Sequence, residues 1–142
     1  MKTVSCAILF LAAQVVLGDI PEKYFSKEDY ICIERAGIDR TYAANGINPV
    51  TMECEETERY KHFVYCWIKE MRLVNENDEV VTETWVKFLV DVIFDFLKKA
   101  DNPNRYELST RAVENCKNIT VKIPLDMGVK LWNCIVPQIV NV

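Results

Sequence analysis

Between Trp85 and Leu97 the apolar residues fall at i, i+3, i+4, i+7, i+8, i+11 and i+12 without a gap: Trp85, Phe88, Leu89, Val92, Ile93, Phe96 and Leu97. An α-helix puts that series on one face. Val86, Val90 and Phe94 widen the stripe well beyond one ordinary face, so this helix is surrounded on more than one side, or it lines something. Thr82 or Thr84 is placed to cap it. Lys87, Asp91 and Asp95 interrupt the run, and charges are costly in lipid, so it does not read as a membrane span.

Other stretches repeat the helical pattern. Ser26 and Asp29 have the spacing of a capping box, opening a helix through Tyr30, Cys32, Ile33 and Ala36 that stops at Gly37. Asp39 caps a short second helix ending by Asn45-Gly46, and Asn48-Pro49 is a turn. Thr51 or Cys54 then opens a longer helix to about Arg72, with Tyr60, Phe63, Val64, Trp67, Ile68 and Met71 at helical intervals. After the polar break at Asp101-Asn102-Pro103-Asn104, Ser109 caps a short helix through Cys116. Pro124 suits a first turn and opens a last helix carrying Val129, Trp132, Cys134 and Val136. The best strand candidate, Val80-Val81-Thr82, is too short, and four glycines are too few for a turn-dense β-sandwich. The expected fold is all-α, with about six helices in a single domain over residues 19–142.

Residues 1–18 read as a secretory signal. Lys2 supplies the positive start, Val4 to Leu17 the apolar run, and Val16-Leu17-Gly18 the small residues for cleavage after Gly18. Its loss removes Cys6 and leaves Cys32, Cys54, Cys66, Cys116 and Cys134. Export makes disulfides the expected state, and the odd count leaves one thiol over. Spacing alone leaves the pairing open, although Cys54 and Cys66 on one continuous helix would stand about 18 Å apart, too far to bridge. Loss of Lys2 also moves the net charge from −4 to −5, and no Lys/Arg cluster stands out, which argues against nucleic acid or an anionic membrane as partner. A single histidine, no Gly-rich phosphate loop and no nucleophile motif argue against an enzyme, and no cofactor is expected. Glu55 with Glu56, and Asp91 with Asp95, read as solvated helix faces.

The order of cysteines on this helical pattern resembles the insect odorant-binding proteins, the pheromone- and general-odorant-binding group. Phe63-Val64-Tyr65-Cys66-Trp67-Ile68, followed by Met71-Arg72-Leu73-Val74-Asn75-Glu76-Asn77, is similar to that family's third-cysteine phrase. His62 then stands in place of the second cysteine and Leu125 in place of the fifth. Both gaps fall on the two partners of one bridge, as in the reduced-cysteine (minus-C) subgroup. Cys32, Cys116 and Cys134 match the first, fourth and sixth positions, whereas Cys54 matches none.

The resemblance implies disulfides Cys32–Cys66 and Cys116–Cys134, a free thiol at Cys54, and helices around an internal apolar cavity. It implies a secreted carrier of small hydrophobic ligands such as odorants, pheromones or fatty-acid-like molecules, with a chemoreceptor as a further partner. Periodicity cannot separate core from cavity wall. The resemblance tilts toward the wall Phe63, Trp67 and Met71 on the third helix, Trp85, Phe88, Leu89, Val92 and Phe96 on the fourth, and Val129, Trp132 and Val136 on the last. Tyr and Trp polar atoms would orient a guest's carbonyl or hydroxyl.

Several residues carry two readings each. Cys54 is a buried thiol or the link of a homodimer. His62 is a pH switch or a partly exposed helix residue, and a metal triad with Cys54 and Cys66 lacks a fourth ligand. Asn118-Ile119-Thr120 is a glycosylation sequon. The apolar tail from Ile135 to Val142 covers the cavity mouth or frays. The competing functional reading is a secreted, disulfide-stapled helical effector of salivary or venom type, acting through its surface.

Overall fold

The computed structural model describes residues 20–142; the leader expected over residues 1–18 lies outside them. These residues form six helices, joined by turns and short 3-10 segments, with two disulfides. Among the described residues no strand forms, and pairing is limited to the isolated bridges Ile47–Cys54 and Val74–Val80. No helix among them is long and apolar enough to cross a membrane.

A 3-10 turn, Glu22–Tyr24, leads to α1, Lys27–Ala36. The capping box at its start is complete: the Ser26 N–H donates to the Asp29 carboxylate at 2.6 Å, and the Ser26 hydroxyl accepts from the Asp29 N–H at 3.4 Å. Phe25 and Tyr30 flank the cap with ring centroids 6.0 Å apart, the hydrophobic staple that fixes how the chain enters the helix. Gly37 ends α1 at φ 67°, a left-handed conformation that glycine adopts without steric cost. Asp39 caps α2, Arg40–Asn45, through its Oδ1, which accepts the Tyr42 N–H at 2.7 Å.

The third helix differs from its expected start. It is α3, Glu58–Glu70, and begins well after Thr51 and Cys54. Residues 46–55 are instead held in a closed loop. The Met52 N–H donates to the Asn48 carbonyl at 2.7 Å, the Asn48 N–H to the Glu53 carbonyl at 2.8 Å, and Met52 itself has a φ of 63°. The Cys54 backbone is claimed from afar: its N–H donates to Asn133 Oδ1 at 2.7 Å, and its carbonyl accepts from Asn133 Nδ2 at 3.0 Å. A backbone so occupied cannot join a helix ladder. Cys54 and Cys66 therefore do not share a helix.

The fourth helix, α4, runs from Thr82–Phe88 through a π-helical turn, Leu89–Ile93, to Phe94–Phe96. Neither threonine caps it. Val81 occupies the N-cap, and the Thr84 hydroxyl donates to the Arg72 and Val81 carbonyls. α5, Arg105–Glu114, starts just beyond Pro103 and not at Ser109, which is a fully buried residue within it. Pro124 opens a 3-10 turn, Pro124–Asp126, that leads into α6, Met127–Ile135, and a last turn follows at Pro137–Val140.

α3 lies at the centre, against α1 on one side and α6 on the other. The contact with α6 is close because of Gly128: a Cβ there would stand 2.8 Å from the Val64 carbonyl carbon. Cys32–Cys66 ties α1 to α3, and Cys116–Cys134 ties the end of α5 to α6. These bridges join cysteines 34 and 18 positions apart, worth about 4 and about 3 kcal/mol in loop-closure entropy. At the middle, Trp67 meets Trp85, Phe88 and Trp132 edge-on, with centroids 5.1–6.3 Å apart. The C-terminal tail is docked. Ile139 is fully buried, and the Lys99 ammonium donates to the carbonyls of Ile139, Val140 and Val142.

Candidate functional site

Packing of α1, α3, α4 and α6 leaves an apolar cavity of about 130 Å³. α3 supplies its spine. Tyr60, Phe63, Val64, Trp67 and Met71 follow at helical spacing and line one side. α4 contributes Phe88, Val92, Ile93 and Phe96, and α6 contributes Trp132. The loop before α3 adds Ile47, Met52 and Cys54, and α2 adds Ala43. The remaining wall is the N-terminal segment: Ile20, Tyr24, Phe25, Ser26 and Asp29.

Seven residues expected on the wall are there: Phe63, Trp67, Met71, Phe88, Val92, Phe96 and Trp132. Four are not. Trp85, Leu89, Val129 and Val136 are fully buried core residues away from the cavity. On α4 the π turn accounts for part of this division. Its ladder slips from i−4 to i−5 partners, so the apolar stripe does not stay on one line, and Ile93 reaches the cavity while Leu89 does not. Nor does any residue of the 135–142 tail line the cavity; the tail packs on α5, where Gln138 donates to the Ala112 carbonyl at 2.9 Å.

The N-terminal segment is fastened across the cavity by polar contacts at both ends. The Tyr24 hydroxyl donates to Asp95 at 2.7 Å, and its ring meets Phe96 edge-on at 5.2 Å. That hydroxyl, foremost, and then the Lys23 ammonium hold the Asp95 carboxyl below its ordinary value. The Arg40 guanidinium donates to the Ile20 carbonyl at 2.9 Å and stacks over Phe25 at 4.7 Å.

Polar groups on the wall are few. The Tyr60 hydroxyl donates to the Ala43 carbonyl at 2.6 Å, and the Trp132 indole to the Met52 carbonyl at 2.7 Å. Burial pushes the Tyr60 hydroxyl well above the usual phenol value. The ring also explains Gly46, where a Cβ would lie 2.0 Å from Tyr60 Cε1. Cys54 is buried and unpaired, and burial, with the Glu56 carboxylate next, pushes its thiol up to about 12. At neutral pH it is a protonated and inert thiol. Among the described residues Asp29 is the one carboxylate that lines the cavity. Burial raises its carboxyl above the ordinary value, against the lowering effect of the Ser26 bonds.

His62 is exposed on α3, and Cys66 is bonded to Cys32. Among the described residues no three His, Cys, Asp or Glu side chains cluster as metal ligands. Asn118 is exposed beyond Cys116.

Sequence reasoning passed over the N-terminal segment, Ala43, Ile47, Met52, Cys54, Tyr60, Val64 and Ile93. Two signals pointed to some of them. Tyr60 and Val64 share the helical stripe of Phe63 and Trp67, and Phe25 sits where a staple residue belongs. No protein-family model matches the chain, and no curated protein matches it.

Proposed function

We propose that this protein is a secreted carrier of small apolar molecules, of the odorant-binding kind with a reduced cysteine set, that lends its guest a buried site and makes or breaks no bond. The observation that carries this reading is the 130 Å³ apolar cavity walled by Phe63, Trp67, Phe88, Val92, Phe96 and Trp132. Unfilled space in a core lowers stability, and a small domain that keeps such a space beside two cross-links has a use for it. The disulfides are of the type that persists in an oxidising compartment, which supports an extracellular setting and fits the expected leader. Volume favours small guests. An apolar void on the order of 150 Å³ in another protein takes up benzene, so a single ring or a short chain suits this one better than a long acyl chain. A chemoreceptor is the partner this reading implies for delivery.

The test uses the protein's own reporters. Trp67 and Trp132 face the cavity, so toluene should change their emission saturably and raise the melting temperature in step with ligand concentration. An emission change that never saturates, with no thermal shift, overturns the proposal.

A further inference from the structure

We propose that the cavity is an acceptor site, whose guest is a small ring or short chain bearing a hydrogen-bond donor, a hydroxyl or an ammonium, seated on the carboxylate of Asp29. This rests on the carrier reading and specifies its guest.

The argument is an inventory of the wall's polar atoms. All but one of its strong donors are bonded elsewhere in the protein, and the exception, the Trp67 indole, acts on Asp29 itself. Tyr24 donates to Asp95, Tyr60 to the Ala43 carbonyl and Trp132 to the Met52 carbonyl. The Ser26 hydroxyl donates to Asp29 at 2.8 Å. What remains is acceptance. A carboxylate has two oxygens and about four lone-pair sites, and both Ser26 contacts land on the same oxygen, Oδ2, at 2.6 and 2.8 Å. The Trp67 indole makes a smaller contribution, and the side-chain charge acting most on Asp29 is Glu28, of the same sign. The carboxyl is thus underpaired in an otherwise apolar space. A donor head completes it. A guest that only accepts, such as an aldehyde or ester, must bury its carbonyl with no strong partner, which costs roughly tenfold or more in affinity. Tyr24, Tyr60 and Trp132, which would have oriented a carbonyl, are occupied elsewhere, and the Trp67 indole acts on Asp29.

Four probes that share one ring test this by calorimetry at neutral pH. Toluene reports the cavity alone, benzaldehyde an acceptor head, benzyl alcohol a neutral donor and benzylamine a cationic one. Benzyl alcohol and benzylamine should each bind about tenfold or more tightly than benzaldehyde, and either order between the two supports the proposal. In Asp29→Asn the advantage should fall below about threefold while toluene still binds saturably, and far-UV circular dichroism verifies the fold of the variant. Should that variant fail to fold, the comparison in the native protein decides alone. Equal affinity for benzaldehyde and benzyl alcohol in the native protein, or a donor advantage that survives Asp29→Asn, overturns the acceptor site and leaves the carrier reading standing. If none of the four binds, both fall.

Discussion

Filling the cavity should strengthen the fold and abolish binding together. Val92 sits on the cavity wall in the π turn of α4 and is half-buried. Residual void in a core costs about 24 cal/mol per Å³, so the 130 Å³ here amounts to about 3 kcal/mol. In Val92→Phe a phenyl ring replaces the isopropyl group and occupies roughly a third of that volume, a gain of about 1 kcal/mol. For a domain of this size that raises the melting temperature by about 4 °C. Toluene at a hundred times its dissociation constant should stabilise the native protein by about 2.7 kcal/mol, and should leave the filled variant unmoved. Thermal melts followed by circular dichroism, with and without toluene, read both effects. Most single changes in a core move stability down, so the opposite signs are diagnostic. A variant that melts lower than the native protein yet still responds to toluene would refute the placement of the void beside Val92.

Cys54 should resist a thiol reagent in the native state and react as one thiol per chain on unfolding, with the protein running as a monomer on a non-reducing gel. Its folded-state value, about 12, lies above the ordinary 9.0. Its contribution to stability is therefore complete below about pH 9 and is lost as pH rises toward about 12. Cys54→Ala should flatten that alkaline loss in urea titrations made below and within the window, and an unchanged slope would count against the burial of the thiol. Removing Cys116–Cys134 with a pair of alanines should lower stability by about 3 kcal/mol while toluene affinity stays within about threefold. Removing Cys32–Cys66 should cost about 4 kcal/mol and weaken toluene as well, because Cys66 lies on the same helix as the wall residues Phe63 and Trp67.

Where local chemistry decides structure, the sequence was legible. Ser26 with Asp29, Gly37 and Asp39 mark their helix ends by hydrogen bonds that span only a few residues, and all three ends lie where those residues place them. The stripe from Tyr60 to Met71 is a helix for the same reason, its side chains recurring with the turn. The start of α3 was not legible. It is set by an amide 79 positions further on, that of Asn133, which takes both backbone groups of Cys54. Nor was the wall fully legible. Trp85 and Phe88 belong to one stripe, and only the placement of α5 and α6 makes the first a core residue and the second a wall residue. Ile20, Tyr24 and Phe25 form no periodic pattern, so their part in the cavity shows only once the segment is laid across it.

The π turn in α4 has one further consequence. It holds one residue more than a regular α-helix needs for the same rise. Deleting a single residue there, Val90 for instance, lets the helix close up as an ordinary one with Phe94–Phe96 still on the faces they now hold, whereas the same deletion in a regular stretch of α4 rotates everything after it by about 100°. Phe96 then stays on the wall and Asp95 stays against Tyr24. The π turn is thus the one place in α4 where the chain can lose a residue without moving either the wall or the anchor of the N-terminal segment.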